Sequence, residues 1–376
     1  MTARAEPAIV ICNVRVFDGT GISDSTCVRI DGGEITAIDR DLDAVGARVV
    51  DGAGGALLPG FIDAHVHLHG ADNLEQLARA GITTALDMAC WPPVLVAELR
   101  NRRGVTDIRS AGIPATAPGS THSKMPGRPD AALLAGPAEA EDFVRDRLAE
   151  GSDYIKVIAD VPGPDQATLD AIVAVTHRQG KLVVAHAARL VPYQMALAAR
   201  ADVITHVPLD AVLDDVSIAG LVQSRGVAVP TLTMMDAVAR KFFGRGADGA
   251  PDDESTRAGP GYHNARHSVG LLHRAGVPIL AGTDANATVG VPANISHGAS
   301  LHRELELLVQ AGLSPVEAIA AATWLPARHF GLADRGAVRV GLRADLVLID
   351  GDPSAVITDS RRVHRVWCAG IEAATD

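Results

Sequence analysis

Two histidines separated by one residue, His65 and His67, lie in a short apolar segment at residues 60–67 that is typical of a β-strand. Side chains two residues apart in a strand point to the same face, so both imidazoles can reach one metal ion. A lone His-x-His pair is a weak signal, because exposed strands also contain such pairs. The pair becomes a candidate metal site only if other ligands converge on it.

Three further candidate ligands, His186, His206 and Asp284, end other apolar segments of the chain. If these segments are parallel strands of a barrel, their C-terminal ends meet at the face where catalytic groups gather. Four imidazoles and one carboxylate suit a divalent cation of the zinc type. The alternative is that each is a buried histidine with an ordinary partner or a helix-capping aspartate, which requires five coincidences at strand ends.

Lys156 is a candidate of another kind, because it occupies the centre of the apolar segment Asp-Tyr-Ile-Lys-Val-Ile at residues 153–158. Strand alternation turns it to the same side as Tyr154 and Ile158. Burial there would push the pKa of the ammonium well below its ordinary value of about 10.4. A neutral amine can add CO₂ to give a carbamate, whose two oxygens can bridge two cations. The alternative is a lysine that pairs with Asp160 or extends to the barrel mouth.

The elements that would position these residues are repeated βα units, because short apolar segments alternate with segments of helical period through the middle of the chain. Eight apolar segments fit this pattern, at residues 60–67, 82–88, 107–113, 153–158, 181–186, 202–207, 227–232 and 277–284. Their number and their combined span match the α/β class, as a (β/α)8 TIM barrel. A doubly wound open sheet would have fewer strands and usually a Gly-rich phosphate turn, which the sequence lacks.

Both ends of the chain are rich in Val and Ile and are punctuated by Gly, which is typical of short antiparallel strands. We expect residues 1–59 and 336–376 to form one composite β-sandwich domain, and residues 60–335 to form the barrel. Three long segments follow predicted strands and are expected to be loops at the functional face, at residues 114–130, 236–262 and 285–298.

Composition excludes several classes of function. The 34 Lys and Arg against 45 Asp and Glu give a net charge of −11, so neither nucleic acid nor an anionic membrane surface is an expected partner. The four cysteines, Cys12, Cys27, Cys90 and Cys368, show no paired spacing, so neither a disulfide framework nor a cysteine zinc site is expected. No signal-peptide pattern or long apolar run is present, which predicts a cytoplasmic protein.

Taken together, the motifs resemble the metal-dependent amidohydrolase superfamily, most closely its imidazolonepropionase-like and prolidase-like branch. The matching residues are Leu-Pro-Gly-Phe-Ile-Asp-Ala-His65-Val-His67, Ile-Lys156, Ala-His186-Ala, Thr-His206, Gly-Thr-Asp284 and Gly341-Leu-Arg-Ala-Asp345-Leu-Val. The resemblance implies two divalent cations, with zinc as the expected metal. It assigns the first cation to His65, His67 and Asp284, the second to His186 and His206, and the bridge between them to carboxylated Lys156. Thr231-Leu232-Thr233 lacks the tyrosine of peptidase-like members, which argues against a strict dipeptidase.

The resemblance also implies hydrolysis of an amide or related C–N acyl bond of a small molecule. The attacking group would be a hydroxide bridging the metals, with Asp284 as general acid and base. His122, in loop 114–130, matches a loop histidine that contacts the substrate oxygen in similar enzymes. His297 and Trp91 are candidates for substrate contact. A substrate carboxylate could be held by a cation from a set that the sequence does not narrow: Lys124, Arg128, Arg189 or the Lys241/Arg245 pair.

Two other functions stay open at this point. An esterase, lactonase or phosphotriesterase is the alternative, because the same pair of metals can activate water against those centres. A non-catalytic scaffold is the third hypothesis, against which the retention of all six metal-site residues speaks. A homo-oligomer is expected from the fold class alone.

Overall fold

The computed structural model describes residues 7–244, 246–247 and 259–374. Its strands are β1 (Ala8–Phe17), β2 (Ile22–Asp31), β3 (Glu34–Asp39), β4 (Ala47–Asp51), β5 (Ala56–Pro59), β6 (Phe61–Val66), β7 (Ile82–Asp87), β8 (Asp107–Ser110), β9 (Ile155–Ile158), β10 (Val183–His186), β11 (Val203–Thr205), β12 (Val227–Val229), β13 (Leu346–Ile349), β14 (Val363–Cys368) and β15 (Ile371–Glu372). Its α-helices are α1 (Ala71–Arg79), α2 (Pro93–Leu99), α3 (Ala140–Ala149), α4 (Gln166–Arg178), α5 (Leu190–Ala198), α6 (Asp215–Ser224), α7 (Leu232–Phe243), α8 (Tyr262–Arg274), α9 (Ala299–Gln310), α10 (Pro315–Ala321) and α11 (Trp324–His329). Of the described helices, none combines the length and the apolar character that crossing a bilayer requires.

Strands from both ends of the chain meet in one mixed sheet. Its order is β15-β14-β13-β5-β1-β2-β3, and β4 also pairs with β1. Apolar side chains from both ends, among them Ile11, Val28, Leu57 and Leu346, pack in one cluster with the fully buried Trp367. The two ends of the chain therefore share a hydrophobic core. The second layer of a sandwich and the domain boundaries at residues 59 and 336 stay predictions.

The middle of the chain forms two parallel sheets, one ordered β6-β7-β8 and the other β12-β11-β10-β9. Apart from β8, in which buried and half-buried residues alternate, these strands are buried on both faces, which explains the uninterrupted apolar segments of the sequence. Outward side chains such as Phe61 and Val157 belong to the large cluster that includes residues of the helices. Inward side chains, such as Ile62, Leu86 and Val184, pack with one another in a separate cluster. The α/β class predicted from the alternating pattern is thus confirmed.

The predicted eighth strand, residues 277–284, is not a regular strand. It contains Pro278, which has no N–H to donate to a ladder. Single bridges nevertheless connect it to both sheets, since Ile279 pairs with Ala228 of β12 and the residue after the segment, Ala285, pairs with Val66 of β6. The segment therefore lies between the two parallel sheets and joins their edges.

The long segments differ in how well the sequence predicted them. Residues 114–130 and 285–298 have no α-helix or regular strand, as expected, and the first holds a short 3-10 helix, His122–Lys124. The prediction for residues 236–262 is wrong at its start, since α7 continues to Phe243, whereas its end agrees to within one residue with the beginning of α8 at Tyr262. Helix α7 continues because Met235 and Ala239 prolong its buried face. Residues 245 and 248–258 of this segment lie outside the described part of the chain.

The expectation of no disulfide is also wrong, because Cys12 and Cys27 are joined by one. The two residues are 15 positions apart in sequence, but β1 and β2 form an antiparallel pair that brings their Cα atoms to 4.1 Å. Cysteine spacing alone gave no indication, since the pairing depends on the register of the hairpin. Cys90 and Cys368 are buried and free.

Candidate metal centre and substrate cavity

The first group of candidate ligands is formed by His65 and His67, from strand β6 and the position just after it, and by Asp284. Asp284 Oδ1 lies 3.3 Å from His65 Nε2 and 2.8 Å from His67 Nε2. One ligand atom from each of the three residues falls within 4.8 Å of the others. Gly282 permits this approach, because a Cβ there would meet the Cβ of His65 at 2.9 Å. The structure thus brings together residues that are more than 200 positions apart in sequence.

The second group consists of His186, at the end of β10, and His206, just after β11. His206 Nε2 and His186 Nδ1 are 2.9 Å apart, and His206 Nδ1 lies 2.5 Å from Thr231 Oγ1. The ring centroids of His65 and His206 are 5.1 Å apart, so the two groups adjoin. All four histidines therefore gather at the C-terminal ends of parallel strands, as the sequence predicts.

Lys156 lies beside these histidines, at the floor of the cavity, and only 3% of its surface is exposed. Its ammonium donates a hydrogen bond to Thr205 Oγ1 at 2.9 Å, and within the described residues it forms no ion pair. Burial lowers the pKa of Lys156 to about 7, although the charge of Asp284 acts in the opposite direction. The pairing with Asp160 that was the alternative does not occur, since Asp160 binds Arg189 instead.

Electrostatics place the remaining groups in the protonation states of metal ligands. Burial lowers the pKa of His206 to about 4 and the pKa values of His65 and His186 well below their ordinary value. Burial alone would raise the pKa of Asp284, but the attraction of His65 and His67, whose Nε2 atoms lie close to Oδ1, outweighs it and holds that pKa well below its usual range. Neutral imidazole and ionised carboxylate are the forms that bind a cation.

A further observation shows that these ligand atoms suit a divalent cation. Asp284 Oδ1 is buried and, although it lies near two Nε2 atoms, it forms no hydrogen bond. A buried carboxylate oxygen without a partner is costly, and a cation between it and the imidazoles would remove that cost. His65, His67 and Asp284 are therefore the three residues best arranged to hold a metal ion.

A cavity of about 930 Å³ opens above the candidate ligands. Its walls are mainly apolar, and they come from several of the segments that follow the parallel strands. The apolar lining includes Met88, Leu95, Ile113, Met234 and Val291. A cavity of this size and character suits a small organic molecule with an apolar body.

Five residues predicted from sequence near the substrate line this cavity: His122, Trp91, Lys124, Arg128 and Arg189. The His122 ring lies 4.7 Å from that of His186, which places it directly above the candidate ligands. Burial lowers the pKa of His122 to about 4, so its imidazole is neutral near pH 7. Arg245, from the predicted cation set, lies outside the described residues.

His297 occupies a different place from the one expected. Its Nε2 donates a hydrogen bond to the backbone oxygen of His67 at 2.9 Å, and it is not among the cavity-lining residues of the described chain. His69, to which the sequence assigned no role, does line the cavity, and its Nε2 lies 3.3 Å from Asn286 Oδ1. His297 thus holds the backbone of the candidate ligand His67 in place and does not face the cavity.

Asp63 is a buried residue of the site that the sequence analysis did not single out. It accepts hydrogen bonds from Thr283 Oγ1 at 2.7 Å and from the backbone N–H of His65 at 3.2 Å. Burial raises the pKa of Asp63 to about 7. The aspartate therefore ties β6 to the segment that carries Asp284. The signal that could have identified it is its place two residues before His65 in a buried strand.

Known proteins share the sequence pattern and the fold of this chain. The sequence pattern of the amidohydrolase family matches residues 56–372. An uncharacterized protein of Mycobacterium tuberculosis is 28% identical over 94% of this chain and 93% of its own length, and an adenine deaminase of Nitratidesulfovibrio vulgaris is 26% identical over 99% of this chain and 59% of its own. A solved Xaa-Pro dipeptidase with methionine bound in its active site shares the fold, with a TM-score of 0.80 and 20% identity over 97% of this chain and 99% of that one. The chain therefore belongs to the amidohydrolase family.

Proposed function

We propose that this protein is a binuclear metal-dependent hydrolase that cleaves an amide or related C–N acyl bond of a small molecule. The observation that carries the proposal is the convergence of His65, His67 and Asp284 beside the buried Lys156, on the floor of a large cavity. His65, His67 and Asp284 would hold one cation and His186 and His206 the other, with Lys156 as a carbamate between them. Bound divalent cations would lower the pKa of a water molecule and polarise the bond to be cleaved.

The protein's own groups would then handle the protons. Asp284 Oδ1 faces the interior of the site, where it would accept the proton that the attacking water loses and pass it to the leaving nitrogen. His122 is neutral near pH 7 and lies above His186, so its ring N–H can donate a hydrogen bond to the substrate oxygen. The apolar walls would exclude bulk water from the reacting atoms, which strengthens these interactions.

The proposal includes the arrangement of the strands. The two parallel sheets and residues 277–284 would form one (β/α)8 barrel, with the mixed sheet of the termini as the accessory domain. Its support is the set of single bridges across the gaps between sheets, at Ala115 with Val157 and at Ile279 with Ala228. Further support is the shared inward cluster, to which both sheets and Leu280 contribute.

Hydrolysis of a C–N bond is favoured over ester or phosphoester cleavage by the relatives rather than by a single side chain. An adenine deaminase, by its name, acts at a C–N bond, and it is similar to almost the whole of this chain. The test is a metal analysis combined with kinetics on N-acyl amino acids, lactones and phosphotriesters. We expect about two equivalents of divalent metal per chain and the highest kcat/KM on an N-acyl compound. A preference for lactones or phosphotriesters would contradict the C–N assignment, and a protein that binds no divalent metal would support the scaffold hypothesis.

Lys156 gives a prediction about the second metal. Lys156→Met should reduce the metal content from two equivalents to one or fewer, because a thioether cannot form the carbamate that would bridge the cations. Methionine fills a similar volume and suits a buried position. Metal analysis and carbon-13 NMR of protein loaded in labelled bicarbonate measure the result, with a carbamate signal expected only when Lys156 is present. A variant that keeps two equivalents of metal would show that Lys156 is not a bridge.

A further inference from the structure

The charged side chains that line the cavity are not equivalent. Besides Lys156 on the floor, three basic side chains line it, Lys124, Arg128 and Arg189, and the sequence alone cannot choose among them. Arg189 is already neutralised, since its guanidinium bonds Asp160 at 2.5 Å and also the backbone oxygen of Val161. Lys124 is exposed, so water can solvate its ammonium. Neither residue therefore needs a ligand to satisfy its charge.

Arg128 differs from both, because it is partly buried and its partners among the described residues are neutral. Its Nε donates to the backbone oxygen of His122 at 3.4 Å, and its Nη2 lies 3.7 Å from the sulfur of Met125. No carboxylate of the described residues forms an ion pair with it. These two contacts are long, and they leave most of the five guanidinium N–H donors unused. As far as the structure describes the chain, the cavity wall thus holds a cation without a counter-charge.

Such an arrangement is unfavourable in the free protein and favourable once an anion binds. A partly desolvated charge loses hydration, and burial lowers the pKa of Arg128 from its ordinary value. A carboxylate would neutralise this charge and accept its unused hydrogen bonds, because the two carboxylate oxygens match the planar fork of a guanidinium. Phosphate fits the fork as well, but the walls of this cavity are mainly apolar and favour a ligand with a single small anionic group.

The position of Arg128 indicates where on a bound ligand the anionic group would lie. Arg128 bonds the backbone of His122, whose ring packs on that of the candidate ligand His186. An anion on Arg128 would therefore lie on the same wall of the cavity as His122. The apolar body of the ligand would lie against walls such as those at Trp91 and Met234. An amino acid acylated on its nitrogen has this layout, with a carboxylate one carbon from the C–N bond and an apolar side chain.

We propose that Arg128 is a specificity-determining residue that binds the carboxylate of an apolar N-acyl amino acid. The inference rests on the proposed C–N hydrolysis and extends it to a substrate class. The proposal distinguishes N-acyl amino acids from neutral amides and ureas as substrates, because the neutral compounds have no negative charge for the guanidinium to bind.

The test compares acids with matched neutral ligands. The probes are the N-acetyl derivatives of leucine, methionine and phenylalanine and their primary amides, which differ only in the anionic group. Calorimetric binding is measured on the full chain in an Asp284→Asn background, so that bound ligand is not consumed. At least one acid should bind about 10- to 100-fold more tightly than its own amide, as expected for a charge-assisted pair. Arg128→Gln should remove this ratio, and Arg128→Lys should restore part of it, because the charge remains but the fork is lost.

Arg102→Gln is the matched control, since Arg102 is exposed and lies away from the cavity. It should leave the acid-to-amide ratio unchanged. The inference is overturned if no acid binds better than its amide, or if the ratio persists in Arg128→Gln. Acetate release by the protein with Asp284 intact is measured separately. Acid-selective binding that depends on Arg128 but is never followed by acetate release would keep the carboxylate site and contradict the proposed hydrolysis.

Discussion

Asp284→Asn is expected to reduce kcat by about 10²- to 10⁴-fold, the usual contribution of a general acid and base. The carboxylate Oδ1 is buried beside His65 Nε2 and His67 Nε2, so its loss also removes one anionic metal ligand. Asparagine is the appropriate replacement, because Asp284 has a left-handed backbone with φ of 57°, which asparagine tolerates and most other residues do not. The fold should therefore persist. Steady-state kinetics on an active N-acyl compound give the result.

Metal analysis and circular dichroism must accompany that measurement, because activity could be lost with the proton-transfer group or with the bound metal. A variant that keeps one or more equivalents of metal but loses turnover supports the role of Asp284 in proton transfer. Asp170→Asn, on the exposed side of helix α4, is the control and should retain wild-type kcat. Activity of Asp284→Asn within a few-fold of wild type would refute the role.

Arg335→Met should lower the free energy of unfolding by about 3–5 kcal/mol, the usual cost of removing one partner from a buried ionic network. Only 2% of the Arg335 side chain is exposed. Its Nη1 lies 2.8 Å from Asp107 Oδ2 and 2.9 Å from Thr84 Oγ1, and its Nε lies 2.9 Å from Asp334 Oδ1. The buried carboxylate of Asp345, just before β13, is 3.7 Å away. The guanidinium thus connects β7 and β8 to the mixed sheet of the termini.

Urea unfolding, followed by tryptophan fluorescence and circular dichroism, measures this effect. Methionine supplies similar apolar volume, so the change isolates the charge and its hydrogen bonds from packing. The exposed Arg339→Met is the control and should stay within about 0.5 kcal/mol of wild type. An Arg335→Met protein with the stability of that control would show that the network does not hold the two sheets together.

The sequence by itself determined the α/β class, seven of the eight predicted parallel strands and the histidines that gather at their ends. It could do so because these signals are local. A run of four to eight apolar residues marks a buried strand, and the C-terminal ends of parallel strands meet wherever such a sheet forms. His65, His67, His186 and His206 were therefore predictable as one group before any contact was known. Lys156 was predictable too, since a charged residue at the centre of an apolar strand is conspicuous.

Residues that look alike in the sequence have different surroundings in the fold, and only the tertiary structure shows which partners each one meets. Arg128 and Arg189 both follow predicted strands, but Asp160 neutralises Arg189 alone. Arg335 contacts Thr84 across 251 positions, a pairing that no local pattern encodes. The Cys12–Cys27 disulfide depends on hairpin register in the same way. Periodicity reports which face of an element is buried, whereas the partner that a charge or thiol meets depends on how distant elements pack.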